Sequence, residues 1–320
     1  MAARRAFTLP AYLAITLLLT VLAPVLLPLV WLLGHHPRLR GALPTLGFAL
    51  GYLWCEVLGV LASLAIWMRY PRSRQAFLEA NYRLQCWWAS TLKRIAERLF
   101  HLSFEVSGEE ALTGPGAILM PRHTSIADTL IPMVYYAIPM GIRLRYVLKR
   151  ELLLDPCLDI VGNRLPNYFV DRGGEESARA AAGVAELTRD MAGNEGLLLY
   201  PEGTRFSPGK HSRLEERWRH DPERRAQLDR WQHVLPPRTG GTMAALAANP
   251  GRDLVFCAHV GFEGASHFRH LVKGAWCGAR IRIHFWRVPF EMIPHTAEER
   301  LAFLFDQWDR MDRWVSLHVD

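Results

Sequence analysis

The chain has 320 residues, is 50% hydrophobic and carries a formal net charge of +7. That length holds one sizeable α/β domain with an appendage, and the apolar content is too low for a polytopic transporter. The basic balance suits an anionic membrane surface, phosphorylated substrates or nucleic acid. Cys55, Cys86, Cys157, Cys257 and Cys277 are scattered, odd in number and without a Cys-x-x-Cys. This argues against a disulfide framework or a zinc site and leaves reduced thiols facing the cytosol as the default.

Residues 6–34 contain no Asp, Glu, Lys or Arg, a run longer than the roughly 20 apolar residues a bilayer span needs. A cleaved signal peptide would also have Arg4 and Arg5 ahead of an apolar core. The length of the run, and the second apolar stretch from Gly41 to Met68, argue against it. The pair predicts a two-helix membrane hairpin over residues 1–75, with residues 76–320 as the main domain. Arg residues flank both stretches and the loop between them, so positive-inside asymmetry is slight. A double crossing and a hairpin held in one leaflet both remain open. Pro24 and Pro28 should kink the first helix, and Glu56 should face protein or headgroups.

Phe77, Leu84, Trp88, Leu92, Ile95 and Leu99 recur at helical spacing, which predicts a helix packed on the domain or lying at the interface. Strands are expected over residues 101–106, 117–120, 143–149, 197–200, 254–258 and 280–286. Helices are expected after residue 125, over 175–191 and over 298–317. Strands alternating with helices predict an α/β fold with a mostly parallel sheet flanked by helices. The mixed charge of residues 206–234 reads as a solvated helical insertion, or else as a basic surface for a ligand's phosphates.

The sharpest chemistry lies at Arg122-His123-Thr124-Ser125-Ile126-Ala127-Asp128, directly after the apolar run Ala117–Met120. A strand-to-helix turn at the carboxyl end of a strand is where open α/β sheets place ligands. A neutral imidazole there can take a proton from an attacking hydroxyl, and a carboxylate on its other nitrogen would hold it. The alternative is that Asp128 only caps a helix begun at Ser125. Pro201-Glu202-Gly203-Thr204-Arg205 follows a second apolar strand in the same manner.

Together, His123-x4-Asp128 and Pro201-Glu202-Gly203-Thr204-Arg205 resemble the glycerolipid acyltransferases, and more narrowly the 1-acylglycerol-3-phosphate acyltransferase family. Lys149-Arg150-Glu151-Leu152 with Pro156, Gly162 and Phe169-Val170-Asp171-Arg172 is similar to that family's second block. Leu235-Pro236-Pro237-Arg238-Thr239-Gly240-Gly241 and the tail from Arg287 to Pro294 are similar to the lysocardiolipin and long-chain lysophosphatidate branch. The likeness spans residues 80–315, and it departs at Arg122, where many members carry Asn.

The resemblance implies acyl transfer from a thioester, acyl-CoA or acyl carrier protein, to a lysophospholipid hydroxyl, with 1-acylglycerol 3-phosphate as the best-matched acceptor. In that reading His123 is the general base and Asp128 orients it. Arg205, then Arg172, then Lys149 bind the acceptor phosphate. Gly203 lets backbone approach the ligand, beside Thr204, and Glu202 holds the turn or Arg205. No covalent intermediate, metal or cofactor is implied. The membrane localisation expected puts the catalytic domain on the cytoplasmic face, at the inner membrane if the source is bacterial. The other readings are a remodelling enzyme for another lysophospholipid, a CoA-independent transacylase or hydrolase using the same pair, and a non-catalytic lipid binder. No nucleic-acid motif stands out.

Overall fold

The computed structural model describes residues 2–170, 176–263, 265 and 268–319. The chain forms two compact units, one of residues 1–103, 148–169 and 267–279 and one of residues 104–147, 170–266 and 280–320.

The first unit is helical. Helices α1 (Ala2–Leu33) and α2 (Ala42–Arg69) are each long and apolar enough to cross a membrane. Pro10, Pro24 and Pro28 all lie within α1, which runs through them without a break. Helix α3 (Arg74–Phe100) starts where the Ser73 side chain accepts from Ala76 N and ends at His101, in a left-handed conformation with φ of 55°. It packs closely on α2 because Gly47 and Gly51 have no side chain: a Cβ there would lie 3.2 Å from Leu99 and 3.0 Å from Ile95.

Glu56, 1% exposed, is paired as the cost of burying a carboxylate demands. It accepts from Trp88 Nε1 at 2.7 Å and from Cys157 N at 2.9 Å, at the start of the short helix Pro156–Gly162. Contacts of this kind carry the unit past residue 75. Arg4 and Arg5, expected simply as basic flanks, both close on the buried Asp159, at 2.7 and 3.1 Å.

The seven-stranded sheet has β1 (Ser103–Ser107), β2 (Ile118–Pro121), β3 (Arg143–Lys149), β4 (Tyr168–Val170), β5 (Glu195–Leu198), β6 (Leu254–Val260) and β7 (Arg280–Val288). Their order is β1-β7-β6-β2-β5-β3-β4. The central run β6, β2, β5 and β3 is parallel, and β7 is antiparallel to β6, so the sheet is mixed. Every residue of β2 and β6 is buried, as expected of central parallel strands covered on both faces. Helices Glu176–Arg189, Thr239–Ala247 and Ala297–His318 accompany this sheet. In the last of them Leu304, Trp308, Met311 and Val315 form the buried stripe anticipated from the spacing.

Two expectations are corrected. The helix after His123 begins at Leu130 rather than at Ser125 and widens to a π-turn over Met133–Ala137, beside Pro132, which has no N–H to give. Strand β5 starts and ends two residues earlier than the apolar run Leu197–Tyr200, which leaves Leu199 and Tyr200 in the loop. The charged segment 206–234 contains two helices, Pro208–Arg217 and Pro222–Asp229. Arg219, Arg224 and Arg225 each pair with a neighbouring carboxylate, which fits a solvated insertion better than a cationic surface.

Candidate active site

Parallel pairing assembles the site. Because β2 and β5 run side by side in the same direction, the turns that follow them emerge at the same edge. Continuing the register Ile118↔Leu197 sets His123 opposite Glu202. The side chain closes that gap: Glu202 Oε1 accepts from His123 N at 2.7 Å. Its other oxygen accepts from Leu235 N at 2.9 Å, so one carboxyl ties together three chain segments. Glu202 therefore holds the turn, and its oxygens are engaged with backbone rather than with Arg205.

His123 Nδ1–H donates to Asp128 Oδ2 at 3.0 Å, which leaves the ring's lone pair on Nε2. The same oxygen accepts from Thr124 N and, at 2.7 Å, from Ser125 N. Asp128 thus gathers the loop around the imidazole and does not cap a helix. Burial pushes its carboxyl up, but His259, the hydrogen bond and charge of His123, and Ser125 N–H outweigh this and hold it below the ordinary value. It therefore faces the imidazole as an anion. Ser125 Oγ accepts from Ala127 N at 3.1 Å, the local capping bond of a turn residue rather than the geometry of a nucleophile. Cys257 is fully buried in β6, and burial pushes its thiol well above the ordinary value.

Arg122 occupies the position before the histidine with no exposed surface. It donates to His233 O at 2.9 and 3.1 Å, to His259 O at 2.6 Å and to Glu263. Its own N–H extends the pairing of β2 with β6 by donating to Cys257 O. Tyr200 lays its ring against His123, with centroids 4.4 Å apart and planes at 34°. These partners of His123, and His259 beside Asp128, were missed from the sequence. The available signal was a polar residue, His259, ending the otherwise apolar Leu254–Ala258 run.

Gly203 takes φ of 63°, a left-handed turn position that suits glycine. The close approach it permits is to Arg238: a Cβ at Gly203 would lie 2.6 Å from Arg238 Cδ. Thr204 Oγ1 accepts from Lys210 Nζ at 2.9 Å, and the same ammonium donates to Arg205 O at 2.8 Å. The half-buried Arg205 guanidinium has no ion-pair partner among the described residues. Lys149 is the last residue of β3 and belongs to the helical unit. Arg172 lies outside the described residues.

Glu202 gives a pH-dependent stability. Burial pushes its carboxyl from 4.5 up to about 8, against the pull of the Leu235 and His123 N–H groups and of Arg122. A folded value above the unfolded one means a contribution fully present below about 4.5 and lost as pH rises through about 8. The melting temperature of the wild type should fall across that window by more than that of Glu202→Gln. Parallel curves for the two proteins would show that Glu202 does not titrate there.

Imidazole, carboxylate and sheet edge fit a class first: a transferase or hydrolase in which a His–Asp pair can activate a hydroxyl. The comparisons narrow the class. The Acyltransferase family model matches residues 103–257, which include the His123 loop and the Pro201–Arg205 turn. Residues 103–257 carry an acyltransferase domain, and the protein is an O-acyltransferase, as the two motifs implied. In structure it is similar to the 1-acyl-sn-glycerophosphate (LPA) acyltransferase PlsC from Thermotoga maritima. The TM-score is 0.57 at 16% identity, over 87% of this chain and 98% of that chain, which is a likeness of fold. No curated protein is a significant match.

Proposed function

We propose that this acyltransferase moves a fatty acyl group from acyl-CoA or acyl carrier protein to the hydroxyl of 1-acylglycerol 3-phosphate, giving phosphatidate at a membrane surface. The observation that carries the reading is the His123 Nδ1–Asp128 Oδ2 bond at the ends of parallel strands, inside a matched acyltransferase domain. His123 Nε2 takes the acceptor's hydroxyl proton as its oxygen attacks the thioester carbonyl. Asp128 stabilises the imidazolium, and the proton leaves on the thiol. No cofactor is required by this route. The Leu235–Gly241 block supports a place near the lysocardiolipin branch. The test is to incubate purified protein with a lysophospholipid panel and each thioester donor, and to identify products by mass. Release of free fatty acid without acceptor acylation would refute the reading.

Arg205 is the proposed phosphate ligand. A charge-assisted contact is worth about 1.5–3 kcal/mol, so Arg205→Ala should raise KM for lysophosphatidate about ten- to hundredfold and that for the donor far less. Arg205→Lys should rescue in part, since it keeps the charge without the fork. Equal losses for both substrates with a lower melting temperature would make Arg205 structural.

Residues 1–75 are the proposed membrane anchor, with the catalytic domain on the cytoplasmic face. Two helices of sufficient length and hydropathy support this. Deleting them should turn an integral protein into a soluble or peripheral one. Single cysteine probes at residues 36–40, labelled from each side of a sealed vesicle, distinguish a double crossing from a one-leaflet hairpin. Labelling only from the catalytic side would rule out the crossing.

A further inference from the structure

His259 is a fully buried ionisable side chain that the scheme above leaves without a task. It lies in β6, where every residue is buried, and an imidazole there is costly unless bound. Continuing the register Pro121↔Cys257 sets it opposite His123 on the neighbouring strand end. Its Nε2 donates to Arg122 O at 3.1 Å, and this carbonyl fixes the ring proton on Nε2. The same nitrogen stands 3.6 Å from Asp128 Oδ1. Among the described residues, Asp128 Oδ1 and His259 Nδ1 have no hydrogen-bond partner. All three hydrogen bonds to the carboxylate, from His123, Thr124 and Ser125, fall on Oδ2. Asp128 therefore stands between two imidazoles, one facing each oxygen.

We propose that His259 is a positioning residue for acyl transfer, the Nε2 edge of its ring standing 3.6 Å from Asp128 Oδ1 and setting how much of the carboxylate charge reaches His123. The proposal rests on the reading of His123 as general base. The positive edge of the His259 ring beside Oδ1 draws charge away from Oδ2, which tempers the pull on a protonated His123. The acyl acceptor feels this only through His123. The groups that face His259 are Asp128, the Arg122 carbonyl, the Arg122 guanidinium on its own carbonyl at 2.6 Å, Glu263 through its charge, and the Phe262 ring at 6.0 Å. A residue that merely satisfied the Arg122 carbonyl would have no hold on the titration of His123.

The experiment uses full-length protein in micelles of fixed composition. His259→Leu removes the donor, and His259→Gln keeps a neutral N–H near the place of Nε2. Two quantities are read: steady-state kinetics against pH, and the titration of His123 by NMR of carbon-13 histidine, its resonance assigned by loss in His123→Gln. For His259→Leu, kcat should fall by up to about 10²-fold, the scale of a small misplacement of catalytic groups, with KM for either substrate unchanged. The His123 titration and the acid limb of kcat should both move to higher pH, because an undivided Asp128 charge favours the imidazolium. His259→Gln should restore both. An unmoved His123 titration in both variants would overturn the proposal, whether kcat is intact or lost equally, since a packing defect lowers kcat without touching the titration. If the wild type acylates no lysophospholipid yet the His123 titration still moves in His259→Leu, the acceptor assignment falls and the coupling of His259 to His123 stands.

Discussion

His123→Ala should lower kcat by about 10²–10⁴-fold, the usual contribution of a positioned general base, with the melting temperature and membrane association close to wild type. The imidazole is half-buried and its one described carboxylate partner, Asp128, is held independently by the Thr124 and Ser125 N–H groups. The loop should therefore keep its shape when the ring is gone. Asp128→Asn should be at least comparably impaired. It removes the anion that stabilises the imidazolium, and a neutral amide oxygen is a weaker acceptor for the three donors that Oδ2 now serves. Were Asp128 only a helix cap, Asn would be mild, since it caps well. The helix start at Leu130 already separates these cases, and the kinetics of Asp128→Asn check it. Substantial transfer by a folded His123→Ala protein would remove the base from the mechanism.

Arg122→Met should cost about 3–5 kcal/mol of stability, the range for breaking a buried charged network on one side. At roughly 2–4 °C per kcal/mol for a domain of this size, the melting temperature should fall by about 6–20 °C. The side chain is fully buried, and its guanidinium serves His233 O, His259 O and Glu263 at once. Removing it leaves two carbonyls and a carboxylate without their donor. Arg122→Lys should recover little, because an ammonium on a flexible stem cannot span the fork that meets His233 O with two nitrogens. Transfer should fall as well, since Arg122 anchors the residue next to the base. Thermal melting with kcat measured below the transition separates the two effects. A melting temperature within about 2 °C of wild type would mean that the network contributes little, given the same conversion.

Much of this molecule is local in its sequence. Long apolar runs make α1 and α2 whatever they pack against, and period-two or continuous apolar stretches mark β2, β3, β6 and β7. The His123–Asp128 pair was also readable, because its partners lie within one turn of chain and a strand end presents them together. Elements such as β4 and the helices Pro156–Gly162 and Thr239–Ala247 escaped because they are too short to show a period.

Only the tertiary structure decided what surrounds the pair. Glu202 reaches His123 N because two strands distant in sequence run parallel in one register, and that register is a property of the sheet, not of either strand. Arg122 before the histidine reads as a departure from a motif until Glu263, His233 and His259 are brought to it, and then it is a buried network. The start of the helix at Leu130 follows from Asp128 turning its carboxylate back onto the loop, where hydrogen bonds to His123, Thr124 and Ser125 compete with a cap. Side-chain periodicity reports which face of an element is buried. The partner of a buried charge is chosen by chain crossings that no local pattern encodes.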